Sequence, residues 1–115
     1  MNPDLKWSPG SRQIEIGSRS VDLPGEISRV LPWEEKALVV VIVESPELLL
    51  VLDHDGQLVH AFPPPEGFRF YYIARHADYG VSVICESSTP VENWYDWQFR
   101  IDLQRKTLVR FSPSK

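Results

Sequence analysis

The sequence contains a single cysteine, Cys85, which excludes an intrachain disulfide and any zinc site built from several cysteines. Long apolar runs are also missing. The longest, residues 37–43, has seven residues, whereas a membrane-spanning helix needs roughly 20. The N-terminus shows no basic start followed by an apolar block, so we expect no secretory signal, no membrane association and a cytoplasmic, reducing location. The fold must therefore be stabilised by packing.

The chain has no overall excess of positive charge, since its net charge is −4. Residues 1–96 carry 7 Lys and Arg against 15 Asp and Glu, a balance of −8, while residues 97–115 carry 5 against 1, a balance of +4. Phosphate binding normally requires a larger and more concentrated positive field, so we expect no nucleic-acid partner. The basic end is more typical of edge strands, whose Lys and Arg discourage association between sheets.

The motifs of common catalytic and metal sites are missing as well. There is no Gly-x-Ser-x-Gly elbow and no Gly-rich loop followed by Lys and Ser or Thr. Residues 53–56 resemble the start of a calcium loop that no later ligand completes, so we interpret them as a turn with Gly56 at a positive φ. The three histidines are not closely paired, and Cys85 occupies an apolar strand position. We predict a protein that is not an enzyme and has no metal or cofactor.

An internal repeat dominates what the sequence does contain. Residues 39–45 return 42 positions later as residues 81–87, and residues 50–53 align with residues 99–102 at a shift of 49. Each copy contains four strand-length segments separated by turn residues, which is typical of an antiparallel meander. We predict one all-β domain over residues 1–115, with a lead-in and hairpin at 1–26, a first four-stranded repeat at 27–65 and a second at 66–115, the two blade-like sheets packed together. We expect residues 1–12 to be irregular, residues 32–36 to form a turn and residues 87–93 to form a loop.

This pattern resembles the blade of a β-propeller, which is a repeat of about 40 to 50 residues built from four short strands. The segment at residues 51–59 resembles the hairpin between the third and fourth strands of such a blade. Two units cannot close a ring, because a propeller has roughly four or more blades. In this build the chain is similar to small bacterial proteins that include toxin-neutralising immunity proteins. The resemblance implies an immunity or antitoxin-type role in binding a protein partner.

The two repeats differ in how their strands are expected to be covered. Residues 37–43 and 48–51 are apolar at successive positions, whereas residues 97–103 alternate between apolar and polar. Strands that are apolar on both faces are usually covered on both sides, so we predict that the first sheet is the middle layer. Its second apolar face is covered either by the N-terminal hairpin or by a second copy of the chain in a homodimer.

The candidate binding site is the connection in the second repeat that spans residues 88–97 and is seven residues longer than its counterpart. We predict that Trp97 belongs to the core, because it is in register with Phe99 and Ile101. The predicted binding residues are Trp94 and Tyr95 as apolar anchors and Glu92 and Asp96 as charged selectors of a basic, toxin-like protein.

A second interpretation uses the turn at residues 75–79. Arg75, His76 and Asp78 lie within four positions of one another, next to Tyr79 and Gly80. The alternative function is therefore a small enzyme or a ligand-binding domain that uses this turn.

Overall fold

The computed structural model describes residues 3–114, of which 65% are strand, and this confirms the predicted all-β class. The described residues form three antiparallel sheets of three, four and four strands. The strands are β1 (Leu5–Lys6), β2 (Gln13–Ile16), β3 (Arg19–Asp22), β4 (Glu26–Trp33), β5 (Leu38–Glu44), β6 (Leu48–Asp53), β7 (Leu58–Phe62), β8 (Phe68–His76), β9 (Gly80–Val91), β10 (Trp94–Asp102) and β11 (Thr107–Pro113). Within residues 3–114, no helix has the length and apolar character required to span a bilayer.

Each sheet is a meander in which consecutive strands pair. We call β1–β3 the N-terminal sheet, β4–β7 the middle sheet and β8–β11 the outer sheet. The four strands predicted for each repeat are present in the predicted order. The lead-in is more regular than expected, because Leu5 and Lys6 pair with Ile16 and Glu15 and add a strand to the predicted hairpin.

The middle sheet is buried on both faces because β5 is apolar at successive positions. Side chains alternate between the two faces of a strand, so even-numbered and odd-numbered residues of β5 enter different cores. Val40 and Ile42 pack in the core shared with the outer sheet, and Val39, Val41 and Val43 pack in the core shared with the N-terminal sheet. The prediction that the first repeat forms the middle layer is confirmed.

The second apolar face is covered by this chain's own N-terminal sheet. Ile14, Ile16 and Leu23 are buried against the middle sheet, and Leu5 packs beside them. Gly25 permits the close approach, since a Cβ there would collide with the backbone oxygen of Glu44. The expectation that a second copy covers this face is wrong, because β1 widens the hairpin into a three-stranded cover.

The middle and outer sheets contain a bulge at the same place. In β4 the bulged residue is Ser28, which lies opposite the step from Val43 to Ile42 of β5. In β8 it is Tyr71, opposite the step from Cys85 to Ile84 of β9. A bulge inserts one extra residue and bends the strand that carries it. Both bulges lie in the first strand of their sheet, and β4 packs against β8.

The segment at residues 32–36 is a turn only in its second half. β4 continues through Trp33, and a short 3₁₀ turn, Glu34–Lys36, then leads to Ala37, which has a left-handed φ of 55°. Trp33 is buried and its indole contacts the backbone at Gly80, at the start of β9. This contact joins the end of the first strand of the middle sheet to the outer sheet.

Gly80 should be more sensitive to substitution than a glycine with the same backbone conformation in open space. At Gly80 the φ is +78° and an added Cβ would lie 2.6 Å from Nε1 of Trp33, whereas Gly10 has a φ of +84° and no atom within 4 Å of an added Cβ. We expect Gly10→Ala to lower the free energy of unfolding by about 1 kcal/mol and Gly80→Ala by about 3 kcal/mol. Urea unfolding of both variants measures the difference, and equal losses would show that the Trp33 contact has no energetic weight.

Candidate functional site

The insertion of the second repeat is the end of a β-hairpin and not a loop. β9 runs to Val91 and β10 begins at Trp94, and these two residues pair across the turn. Glu92 and Asn93 form the turn with φ values of 49° and 73°. Two consecutive positive φ values are typical of the type I′ turn, for which asparagine is well suited. The prediction of a loop at residues 87–93 is therefore wrong. The Ser, Thr and Pro residues of this segment are typical of loops, although most of the segment belongs to β9.

The hairpin is irregular just below its end. Glu86 pairs with Asp96 and Val91 pairs with Trp94, so residues 87–90 of one strand face the single residue Tyr95 of the other. The hydroxyl of Ser87 closes this excursion, since it donates to the carbonyl of Thr89 (2.5 Å) and accepts from the Thr89 N–H (3.3 Å). The bulged strand leaves Tyr95 55% exposed.

Trp97 fastens the end of the hairpin to the core. Its side chain is 7% exposed and packs with the residues between the middle and outer sheets, as predicted. Its indole N–H donates to the carbonyls of Val91 (3.1 Å) and Trp94 (3.2 Å), one on each side of the turn. Both strands are therefore held by one buried side chain.

Arg110 of β11 supports the same structure from the neighbouring strand. Its guanidinium carbon lies 4.4 Å from the centre of the Trp97 ring, and its Nη2 lies 2.5 Å from Oε2 of Glu92. One arginine thus stacks on the buried anchor and forms an ion pair with the turn. Glu92, predicted to select a basic partner, is already paired within the chain.

The other predicted binding residues lie on the outside of the hairpin. Trp94 is 39% exposed, Tyr95 is more exposed, and Asp96 is partly buried with its carbonyl accepting from the N–H of Ser114 (2.9 Å). The carboxylate of Asp96 forms no ion pair with any residue between 3 and 114. The four predicted residues lie within five positions at the end of the hairpin, and we call them together the hairpin tip (Glu92, Trp94, Tyr95 and Asp96).

The alternative turn at residues 75–79 is held by the side chain of His76 and is joined to a neighbouring element by Arg75. Arg75 forms an ion pair with Glu34 (2.8 Å). Nδ1 of His76 accepts from the N–H groups of Asp78 (3.1 Å) and Tyr79 (3.3 Å), and the imidazole stacks on the Tyr79 ring. A neutral imidazole that accepts at Nδ1 carries its proton on Nε2. His76 therefore closes the β8–β9 turn, and Arg75 connects this turn to the 3₁₀ turn that follows β4.

The segment at residues 53–56 is a turn with the predicted glycine conformation. Oδ1 of Asp53 accepts from the N–H groups of Asp55 and Gln57, both at 2.9 Å, and Gly56 has a φ of +82°. Among the described residues, no three His, Cys, Asp or Glu side chains are grouped so that they could hold a metal ion. The carboxylate of Asp53 therefore stabilises the backbone of its own turn.

Sequence reasoning missed a second exposed aromatic cluster. Trp7 is 38% exposed and Tyr71 is 47% exposed, and both line a cleft with Tyr72, whose ring lies 4.9 Å from that of Tyr71. The cluster depends on the bulge at Tyr71 and on the position of the segment after β1. The three consecutive aromatic residues Phe70, Tyr71 and Tyr72 were visible in the sequence. Regular strand alternation, however, would have placed Tyr71 and Tyr72 on opposite faces of the sheet.

Comparison with known proteins found no matching family model, no matching curated protein and no matching solved structure. The function of the hairpin tip must therefore be argued from its geometry.

Cys85 provides a test of burial at alkaline pH. Burial raises the pKa of its thiol, and the nearby charge of Glu47 raises it further. The folded state therefore keeps the neutral thiol above about pH 9, near which the unfolded thiol ionises. We expect stability to fall above that pH by about 1.4 kcal/mol per pH unit relative to Cys85→Val, which lacks the titration. Urea unfolding of both proteins from pH 7 to pH 10 measures this, and parallel pH profiles would contradict it.

Arg110 should contribute more to stability than its ion-pair partner does. Glu92 is largely exposed, so its ion pair with Arg110 contributes about 0.5 kcal/mol or less after solvent screening. Arg110 also covers the Trp97 ring, which adds about 1 kcal/mol. We expect Arg110→Ala to destabilise the protein by about 1.5 kcal/mol and Glu92→Ala by less than half as much, as measured by urea unfolding. Equal effects would show that the contact with Trp97 is not stabilising.

Proposed function

We propose that the chain is a non-catalytic protein-binding module that uses the hairpin tip to bind a basic partner, in the manner of a bacterial immunity or antitoxin-type inhibitor. The observation that carries the proposal is the exposure of Trp94 and Tyr95 next to each other on a hairpin that the core holds in place. Trp and Tyr are the residues most enriched in interface hot spots, since each buries a large area with few rotatable bonds.

Rigidity of the hairpin favours binding. A loop that becomes ordered when it binds loses conformational entropy, and that loss reduces affinity. Here Trp97 bonds to both strands and Arg110 bonds to the turn before any partner arrives. The hairpin therefore loses most of its conformational entropy when the protein folds and not when it binds. Its exposed aromatic rings are presented in a fixed geometry.

Charge favours a basic partner. The whole chain has a net charge of −4, and the carboxylate of Asp96 has no ion-pair partner among the described residues. A Lys or Arg of the partner can pair with Asp96 directly and can compete with Arg110 for Glu92. Such complementary charges mainly increase the rate of association and select among partners.

The matched bulges support the view that the middle and outer sheets are two copies of one ancestral unit. Ser28 and Tyr71 interrupt equivalent strands opposite residues that the repeat aligns, Ile42 with Ile84 and Val43 with Cys85. A bulge at the same register in two unrelated meanders would be a coincidence. We regard residues 27–65 and 66–115 as these copies within one domain. The buried free thiol of Cys85 suits a cytoplasmic location, where thiols stay reduced.

A partner that co-purifies with the protein allows a direct test. We expect Trp94→Ala and Tyr95→Ala each to weaken its binding by about 2 kcal/mol, mainly through faster dissociation. Asp96→Asn should slow association and flatten its salt dependence. Leu58→Ala is the matched control, since Leu58 is 57% exposed on β7 and lies outside the tip. Surface plasmon resonance at two salt concentrations gives both rates, and unchanged affinity of the folded aromatic variants would place the binding site elsewhere.

A further inference from the structure

The bulges of β4 and β8 occur where the middle and outer sheets meet at one border. Both strands are edge strands, and β4 packs against β8. Ser28 turns its hydroxyl to the carbonyl of Ile42 (3.3 Å), whereas Tyr71 remains 47% exposed. Because bulged residues break the usual alternation, Tyr71 and Tyr72 bring their rings together at 4.9 Å with an interplanar angle of 74°. Trp7 lies beside this pair.

Three neighbouring clefts follow β8 along this border, and we call them together the β8 furrow. Its first cleft is lined by Trp7, Arg29, Val30, Tyr71, Tyr72 and Ile73. A second cleft shares Arg29 and Tyr71 with the first and extends to Arg69 and Glu86, and a third shares those two and reaches Phe68. The lining residues of β8 run from position 68 to position 73, six residues that span about 20 Å at about 3.3 Å per residue. This length suits an extended chain better than a compact small molecule.

The bulges decide which kind of extended chain fits. A peptide that adds as a β-strand needs an uninterrupted row of N–H and C=O groups on the edge strand, and the extra residues at Ser28 and Tyr71 break that row. A polyproline II helix forms no ladder and has no internal hydrogen bonds. Its proline rings pack in grooves lined by aromatic side chains. The Trp and Tyr residues of such a groove can also donate hydrogen bonds to the carbonyl groups of the ligand.

Charge favours an acidic ligand residue in the first cleft, where Arg29 is the charged lining residue, and not in the second cleft, which Glu44, Glu47 and Glu86 also line. Arg29 lines the first two clefts, is exposed, and forms no ion pair with any residue that the structure describes. By contrast, Arg69 is paired with Glu86 at 2.6 Å. A carboxylate placed near Trp7 and Tyr71 would complete a charge-assisted hydrogen bond to Arg29.

We propose that the β8 furrow binds a proline-rich segment of a partner protein in the polyproline II conformation, with an acidic residue of that segment paired to Arg29. At about 3.1 Å per residue, the furrow accommodates about six residues of such a segment. The rings of Trp7, Tyr71 and Tyr72 receive the prolines. This surface is separate from the hairpin tip, since none of the four tip residues lines it.

The test is an NMR titration of the isotopically labelled full chain with the end-blocked peptide Pro-Pro-Pro-Glu-Pro-Pro. We expect saturable shift changes at the amides of Val30, Tyr71, Tyr72 and Ile73, with a dissociation constant below about 1 mM. A peptide in which alanine replaces every proline should bind at least about tenfold more weakly, because it lacks both the rings and the preformed helix. Absence of saturable change up to about 5 mM, or equal binding of the alanine peptide, would overturn the proposal.

Variants separate the aromatic contribution from the charge. Tyr71→Ala should weaken binding of the proline peptide about tenfold or more. Arg29→Gln should weaken it about fivefold and have no effect on the peptide with Gln in place of Glu. Tyr95→Ala is the control and should leave binding unchanged. Shifts confined to the hairpin tip would reject the furrow, and tighter binding of an alternating Thr-Val peptide at β8 would show strand addition instead.

Discussion

The burial of β5 on both faces is the constraint on which the rest of the structure depends. A strand with apolar side chains at six successive positions cannot leave either face in water, so two cores and two covering sheets are required. The outer sheet supplies one cover. The N-terminal sheet supplies the other, and its position is fixed where Gly25 meets the backbone of Glu44. The middle sheet thus acts as a rigid centre from which the outer sheet presents its edges and turns.

Sequence alone predicted the features that follow from residue periodicity. The all-β class, the two four-stranded meanders, the middle layer and the burial of Trp97 all come from alternation or its absence. It failed where one residue changes the register. β1 has only two residues, and the bulge at Tyr71 and the irregular pairing opposite Tyr95 interrupt alternation without a composition signal. These positions also generate the exposed aromatic surfaces, so the candidate sites were harder to predict than the fold.

The middle and outer sheets show how two four-stranded meanders acquire different surfaces. At the first bulge, Ser28 is small and satisfies its hydroxyl on a carbonyl of the same sheet, whereas Tyr71 at the corresponding place projects a large ring. The connection after β5 is short, whereas β9 and β10 continue past the sheet into the hairpin that carries Trp94. In both cases the outer sheet carries an aromatic ring that is more than a third exposed. Exposed rings on a rigid sheet support the proposals that these two surfaces bind partners.

Contacts within the chain account for two of the five basic residues between positions 97 and 115. Arg110 covers Trp97 and pairs with Glu92, while Arg100 pairs with Asp102 at 3.7 Å and lies 5.9 Å from the Tyr79 ring. Each of these guanidiniums therefore has both an aromatic face and a carboxylate next to it, which is the environment that arginine favours in packed surfaces. Two charges that would otherwise form part of a positive field are neutralised locally. The proposal that the hairpin tip selects a basic protein then rests on its exposed aromatic rings and on the carboxylate of Asp96, which forms no ion pair with any residue between 3 and 114.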